Sequence, residues 1–67
     1  MKAICLNNVL IPLDNVAYAY ADHKCNTITV TFKRVADPGD KDLTIYYNTD
    51  SDKFYEDFDA FIEAFCD

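Results

Sequence analysis

The segment from residue 48 to residue 59, NTDSDKFYEDFD, concentrates side chains that could bind a metal ion. Three of them occupy the first, third and fifth positions of an EF-hand-like calcium loop: Asn48, Asp50 and Asp52. The sixth position is Lys53, where an EF-hand has a glycine, and the twelfth is Asp59, where it has a glutamate. Lys53 disfavours the sharp turn and repels a cation. The same acidic and hydroxyl residues are preferred helix N-caps, so we expect capping here and no bound calcium.

Zinc binding and nucleophilic catalysis need groups of residues that this sequence does not bring together. His23 and Cys25 could supply two zinc ligands, but no second pair follows at a finger-like spacing. His23 is the only histidine, and no orienting motif accompanies the three potential nucleophiles: Cys5, Cys25 and Cys66. Gly39 is the only glycine, which excludes a glycine-rich phosphate loop. We therefore predict no enzyme activity and no metal, cofactor or small-molecule substrate. An enzyme or a metal sensor ranks last among three hypotheses, after the two binding functions given at the end of this section.

Acidic residues accumulate at the end of the chain. Residues 1–49 contain five acidic and five basic residues, whereas residues 50–67 contain seven acidic residues and one lysine, so the formal net charge of −6 lies in the last segment. Four carboxylates repeat at the spacing of one helix face, and we call them the acidic row: Asp52, Glu56, Asp59 and Glu63. Asp67 continues the row, whereas Lys53 is placed to pair with Asp57 beside it.

The same segment carries an apolar stripe opposite the acidic row. Four phenylalanines recur at helical spacing: Phe54, Phe58, Phe61 and Phe65. Tyr55 and Ile62 flank them. The spacing predicts an amphipathic helix over about residues 51–66, with the stripe closing a hydrophobic core. Thr49 and Asp52 approximate a capping box at its start.

Five short runs upstream of this helix have the composition of β-strands. They are separated by turn-forming residues and lie at residues 3–6, 9–13, 16–21, 27–33 and 43–47. Strands followed by one helix predict an α+β fold. We expect a small antiparallel β-meander of four to five strands over about residues 2–48, with one C-terminal amphipathic helix packed on one face. A chain of 67 residues is long enough for a single domain, residues 1–67.

The alternation of side chains also predicts the two faces of the sheet. In residues 16–21 it places Val16, Tyr18 and Tyr20 toward the helix. Small, β-favouring residues are expected on the opposite side, including Ala21 and Thr44. Six residues of that side form a candidate oligomer face: Ala17, Ala19, Thr27, Thr29, Thr31 and Tyr46. An uncharged face of this kind could pair with a second copy of the chain.

The composition also bears on compartment and on other partners. No signal peptide is visible, the longest apolar runs are far shorter than the ~20 residues that cross a bilayer, and the widely spaced cysteines make a poor disulfide framework. We expect a cytoplasmic protein with no membrane contact. Twelve acidic residues against six basic ones disfavour direct nucleic-acid binding. A small basic spot is expected at one end of the sheet: Lys33 and Arg34 with Lys24 or Lys41.

Together these features favour a small, acidic, non-catalytic protein-binding module. The leading hypothesis is that the acidic row, with Asp67, docks on a basic protein surface where a nucleic acid would otherwise bind. Small acidic proteins of phages and mobile elements, including anti-CRISPR inhibitors, block host nucleic-acid-binding enzymes in this way, and the analogy is one of size and charge. The alternative is a structural module that homo-oligomerises through the Ala/Thr face of the sheet.

Overall fold

The computed structural model describes residues 2–66. Five strands and one helix follow one another along the chain: β1 (Ala3–Leu6), β2 (Val9–Pro12), β3 (Val16–Asp22), β4 (Thr27–Phe32), β5 (Asp42–Tyr46) and α1 (Ser51–Phe65). Two short 3-10 turns, Leu13–Asn15 and Pro38–Asp40, precede β3 and β5. The predicted α+β fold, antiparallel strands followed by one C-terminal helix, is confirmed.

The strands form two antiparallel sheets, where the sequence had suggested one meander. β1 pairs with β2, and β3, β4 and β5 form a three-stranded sheet in sequence order. The Leu13–Asn15 turn lies between the two sheets. Pro12, the last residue of β2, has no N–H to donate and is therefore compatible with the end of a strand.

Asparagine residues make the tight turns of this fold. Asn7 and Asn8, with φ of 49° and 69°, connect β1 to β2. Asn26, with φ of 51°, ends the turn from β3 to β4, and Asn48, with φ of 55°, lies between β5 and α1. Asparagine tolerates this left-handed region better than most other residues do. A chain with one glycine can therefore still make three tight reversals.

The helix begins one residue later than a capping box at Thr49 would require. Asp50 is the N-cap of α1, and its carboxylate Oδ1 accepts a hydrogen bond from the Lys53 backbone N–H at 3.1 Å. The predicted capping box between Thr49 and Asp52 is therefore wrong. Asp50 satisfies one of the free N–H groups of the first helical turn, which is what an N-cap requires.

One hydrophobic core joins the two sheets to the helix. Its buried members are Leu6, Ile11, Leu13, Val16, Ile28, Val30, Ile45, Tyr47, Phe54 and Phe61. Of the remaining phenylalanines, Phe58 is half-buried and Phe65 is 41% exposed. The prediction that the whole phenylalanine stripe closes the core is therefore wrong for Phe65.

The buried face of α1 is rotated away from the centre of the phenylalanine stripe. Asp57 and Ala64, on one side of the stripe, are half-buried, whereas Tyr55 and Ile62, on the other side, are exposed. This rotation brings a carboxylate toward the sheets. It leaves the acidic row on the side of the helix that faces solvent.

A β-bulge in β3 reverses the predicted faces of that strand. The pairing with β4 shifts between Val16 and Tyr18. Beyond the shift, the alanines lie opposite buried residues: Ala19 opposite Val30 and Ala21 opposite Ile28. The tyrosines lie opposite threonines: Tyr18 opposite Thr31 and Tyr20 opposite Thr29. A bulge adds one residue to one strand only, so every side chain after it changes face.

The predicted oligomer face therefore has to be corrected. Ala19 and Ala21 pack against the core, and Ala17, at the bulge, lines a groove together with Ala64 and Phe65 of α1. None of the three alanines therefore belongs to the face opposite the helix. The pairings define that face, which we call the outer face, as Tyr18, Tyr20, Thr27, Thr29, Thr31, Thr44 and Tyr46. Strand β3 therefore contributes tyrosines to the outer face, where alanines were expected.

Candidate interaction surfaces

The acidic row is an uncompensated strip of negative charge along α1. Its four residues are all exposed. Within residues 2–66 none of the four carboxylates forms an ion pair or a side-chain hydrogen bond. From Asp52 to Glu63 the row extends over roughly 16 Å, given the helical rise of about 1.5 Å per residue. Asp67, which was expected to continue it, lies outside the described residues.

Asp57 departs from the acidic row and is held by three different parts of the fold. Its Oδ2 accepts a hydrogen bond from the Asn7 backbone N–H at 3.0 Å and one from the Tyr47 hydroxyl at 2.8 Å. The Lys53 ammonium lies 3.9 Å from the same oxygen, as the sequence predicted. Only 14% of the Asp57 side chain is exposed. This carboxylate therefore ties the β1–β2 turn and the end of β5 to the helix.

The environment of Tyr47 reflects the same contact. Burial, together with the hydrogen bond to Asp57 and the negative charge of that carboxylate, raises the pKa of the Tyr47 phenol well above its ordinary value. From the sequence, the only partner predicted for Asp57 was Lys53. The spacing of these residues contains no signal for the Tyr47–Asp57 hydrogen bond.

The outer face presents three large aromatic side chains to solvent. Tyr18, Tyr20 and Tyr46 are 57%, 56% and 63% exposed. Within residues 2–66 their hydroxyls have no hydrogen-bond partner, and their rings contact no other ring. Between them lie threonines that bond across the strands. Thr29 and Thr44 share a hydroxyl contact of 3.4 Å, and the Thr31 hydroxyl donates to Asp42 at 2.8 Å.

Basic side chains gather at one end of the molecule, although not all those expected. Lys33 and Arg34 follow β4, and the Lys41 carbonyl accepts a hydrogen bond from the Phe32 N–H, which places Lys41 beside them. Lys24 precedes β4 and therefore lies at the other end of that strand, roughly 20 Å away. The expectation that Lys24 could join this basic spot is wrong.

Two open grooves border the basic spot. One, of about 320 Å³, has an apolar wall that includes Leu13, Ala64 and Phe65, and the other, of about 460 Å³, lies between Pro12 and Arg34. At the second groove, the Asn15 side chain connects the turn before β3 to the backbone of Arg34. Its amide donates to the Arg34 carbonyl at 2.7 Å and accepts from the Arg34 N–H at 3.0 Å.

The side chains considered for zinc binding have other surroundings in the fold. The His23 ring stacks on Tyr55 with centroids 5.6 Å apart and meets the edge of Phe54 at 5.7 Å. Cys25 is exposed, as are Cys5 and Cys66, and all three are free thiols. Within the described part of the chain, no group of three His, Cys, Asp or Glu side chains is placed to hold a metal ion.

Comparison with protein-family models, curated proteins and solved structures gave no match for this chain. No helix within residues 2–66 has the length and hydropathy that a membrane span requires.

Proposed function

We propose that this protein is a non-catalytic binding module that presents its acidic row to a basic surface on a partner protein. The observation that carries the proposal is the separation of charge from packing in α1. Phe54 and Phe61 are buried in the core, whereas the four carboxylates of the row are exposed and unpaired within residues 2–66. The core does not need these charges.

Repulsion between the carboxylates of the acidic row lowers the stability of the fold. A binding function would explain why the row is present despite this cost. Neighbouring carboxylates three or four residues apart on a helix cost about 0.2–0.5 kcal/mol per pair at low salt. Glu63 also lies near the C-terminal end of α1, where the helix dipole disfavours negative charge. A basic partner would relieve this repulsion and would be attracted from a distance, which raises the association rate more than the affinity.

The more specific form of the proposal is an inhibitor of a nucleic-acid-binding enzyme. A strip of carboxylates roughly 16 Å long, with a helix behind it, offers a basic groove a substitute for a short run of phosphates. A phage or mobile-element protein of the anti-CRISPR type would use such a strip against a host enzyme. This form predicts that a short DNA duplex and the protein compete for the same partner.

The test separates the position of the charges from their number. In one variant the row is neutralised by Asp52→Gln, Glu56→Gln, Asp59→Gln and Glu63→Gln. In the matched control four acids outside the helix are neutralised: Asp14→Asn, Asp22→Asn, Asp37→Asn and Asp40→Asn. Both variants have a formal net charge of −2 where the wild type has −6. The probe is a short oligolysine peptide, with association rates measured at low and at physiological salt.

We expect the control variant to bind the oligolysine peptide nearly as fast as the wild type and the row variant to bind roughly tenfold more slowly or worse. Equal losses in the two variants would mean that binding follows net charge alone. In that case the acidic row is only a solvated helix face, and the proposal fails.

A further inference from the structure

We propose that the outer face is a homodimer interface on which a second copy of this chain docks face to face. This interface is independent of the function of the acidic row. The bulge in β3 places Tyr18 and Tyr20 on the solvent side and the smaller Ala19 and Ala21 on the core side. Burying the larger rings would have removed more apolar surface from water.

The three outer-face tyrosines have the properties of interface residues. More than half of Tyr18, Tyr20 and Tyr46 is exposed, and within residues 2–66 their hydroxyls have no hydrogen-bond partner. Tyr47 provides the contrast, because it is buried and its hydroxyl donates to a carboxylate. Tyrosine is enriched at protein interfaces because its ring supplies contact area and its hydroxyl remains available for a hydrogen bond.

The distribution of charge favours a second copy of this chain as the partner that binds the outer face. The outer face has carboxylates only at two corners, Asp22 and Asp42, and each already accepts a hydrogen bond, from the Lys24 N–H and the Thr31 hydroxyl. The acidic row lies on the far side of α1. Two copies joined through their outer faces would keep their acidic rows apart, whereas a strongly basic partner would find little charge to bind there.

The available area predicts a weak dimer. An aromatic side chain buries 150–250 Å² when fully covered, so three rings that are more than half exposed supply roughly 300 Å² per copy. Thr27 and Thr31 are buried and add little to this area. Two copies therefore bury roughly 600 Å² plus a rim, which is below the size of stable specific interfaces and predicts a dimer only at high protein concentration. Two sheets packed face to face under two-fold symmetry would form a sandwich with a spacing of about 10 Å.

The experiment is sedimentation equilibrium over a wide range of protein concentration. We expect a reversible monomer–dimer equilibrium that Tyr20→Lys and Tyr46→Lys each weaken at least tenfold. Leu10→Lys is the matched control, because Leu10 is a 71% exposed strand residue outside the outer face and the change in charge is the same. A monomer at every concentration would overturn the proposal, and so would equal weakening by Leu10→Lys.

A second measurement uses the wild-type protein and does not require a variant to fold. Amide chemical shifts recorded at low and high protein concentration should change along β3, β4 and β5 and remain constant along the exposed side of α1. Concentration-dependent shifts confined to α1, or to β1 and β2, would contradict the proposed interface. Failure of the oligolysine test would leave this result unaffected, so the two proposals can fail separately.

Discussion

Asp57 is the only acidic residue within Ser51–Phe65 that is not exposed. Its partners come from the β1–β2 turn and from the residue after β5, so a single carboxylate connects regions that are distant in sequence. When a buried donor loses its acceptor, the free energy of unfolding falls by about 1–3 kcal/mol, because burial also keeps water from replacing the lost hydrogen bond. At the scale of residues, Asp57 therefore contributes to stability, whereas its neighbours in the acidic row do not.

Replacing Asp57 should destabilise the fold in a way that replacing a neighbouring acid does not. We expect Asp57→Ala to lower the free energy of unfolding by about 1–3 kcal/mol, since the Tyr47 hydroxyl and the Asn7 N–H both lose their acceptor. Asp59→Ala, two positions away on the exposed side, is the control and should leave this free energy unchanged or raise it, because it relieves repulsion within the acidic row. Urea unfolding curves measure both. Similar midpoints for the two variants would rule out this role for Asp57.

The raised pKa of Tyr47 predicts that the free energy of unfolding decreases at alkaline pH. Its pKa is raised in the folded protein, so the folded state holds the phenolic proton more tightly than the unfolded chain does. The resulting stability is fully present below the ordinary tyrosine pKa of about 10 and is lost as the pH rises above it, at up to about 1.4 kcal/mol per pH unit. The free energy of unfolding, measured from pH 8 to 11, should fall less steeply in Tyr47→Phe than in the wild type. Equal slopes in the two proteins would contradict the prediction.

At the scale of elements, α1 uses its sides for different purposes. One side contributes Phe54 and Phe61 to the core, the opposite side carries the acidic row, and Asp57 lies between them. β3 is divided in a comparable way, because its bulge sends the alanines inward and the tyrosines outward. Each of the two candidate surfaces therefore belongs to an element whose other side is buried, and each can be altered without removing a core residue.

The start of α1 permits a direct test of the observed cap. Asp50→Ala should lower the free energy of unfolding by about 1 kcal/mol, because the Lys53 N–H loses the acceptor that lies 3.1 Å away. Thr49→Ala should have little effect, since its side chain makes no hydrogen bond to another residue within residues 2–66. Thermal unfolding monitored by circular dichroism compares the two. A larger loss for Thr49→Ala would indicate a cap at residue 49.

At the scale of the whole molecule, the acidic row and the outer-face tyrosines lie on opposite layers. The acidic row lies on the solvent side of the helix layer, and the exposed tyrosines lie on the outer face of the sheet layer. Salt affects these two surfaces in opposite directions. It screens attraction between the row and a basic partner, and it screens the repulsion between two chains that each carry a net charge of −6.

Salt should therefore distinguish the two proposed associations in a single protein. Between about 20 mM and 300 mM sodium chloride, binding of the oligolysine peptide should weaken steeply, whereas the homodimer should hold or become tighter. Calorimetric titration measures the first association and sedimentation equilibrium the second. A homodimer that dissociates as salt is added would point to pairing between the acidic row and the basic residues Lys33 and Arg34 of another copy.

Local patterns in the sequence were sufficient to locate the elements. Alternating residues such as those of β4, separated by asparagine turns, predicted strands within one or two residues of their observed ends. The spacing of phenylalanines and carboxylates predicted α1 and the exposed position of the acidic row. These signals are local because strand and helix periodicity depend only on residues a few positions apart. The α+β class follows from the order of the elements.

Only the tertiary structure determined which side chains face which way at two places. The bulge in β3 arises in its pairing with β4, so the alternation within β3 alone predicted the wrong face for Tyr18 and Tyr20. Asp57 binds a residue fifty positions away and another ten positions away, beyond the reach of helical periodicity. In both places the physical reason is a contact between segments distant along the chain. The outer face and the inward position of Asp57 could therefore not be read from local sequence patterns.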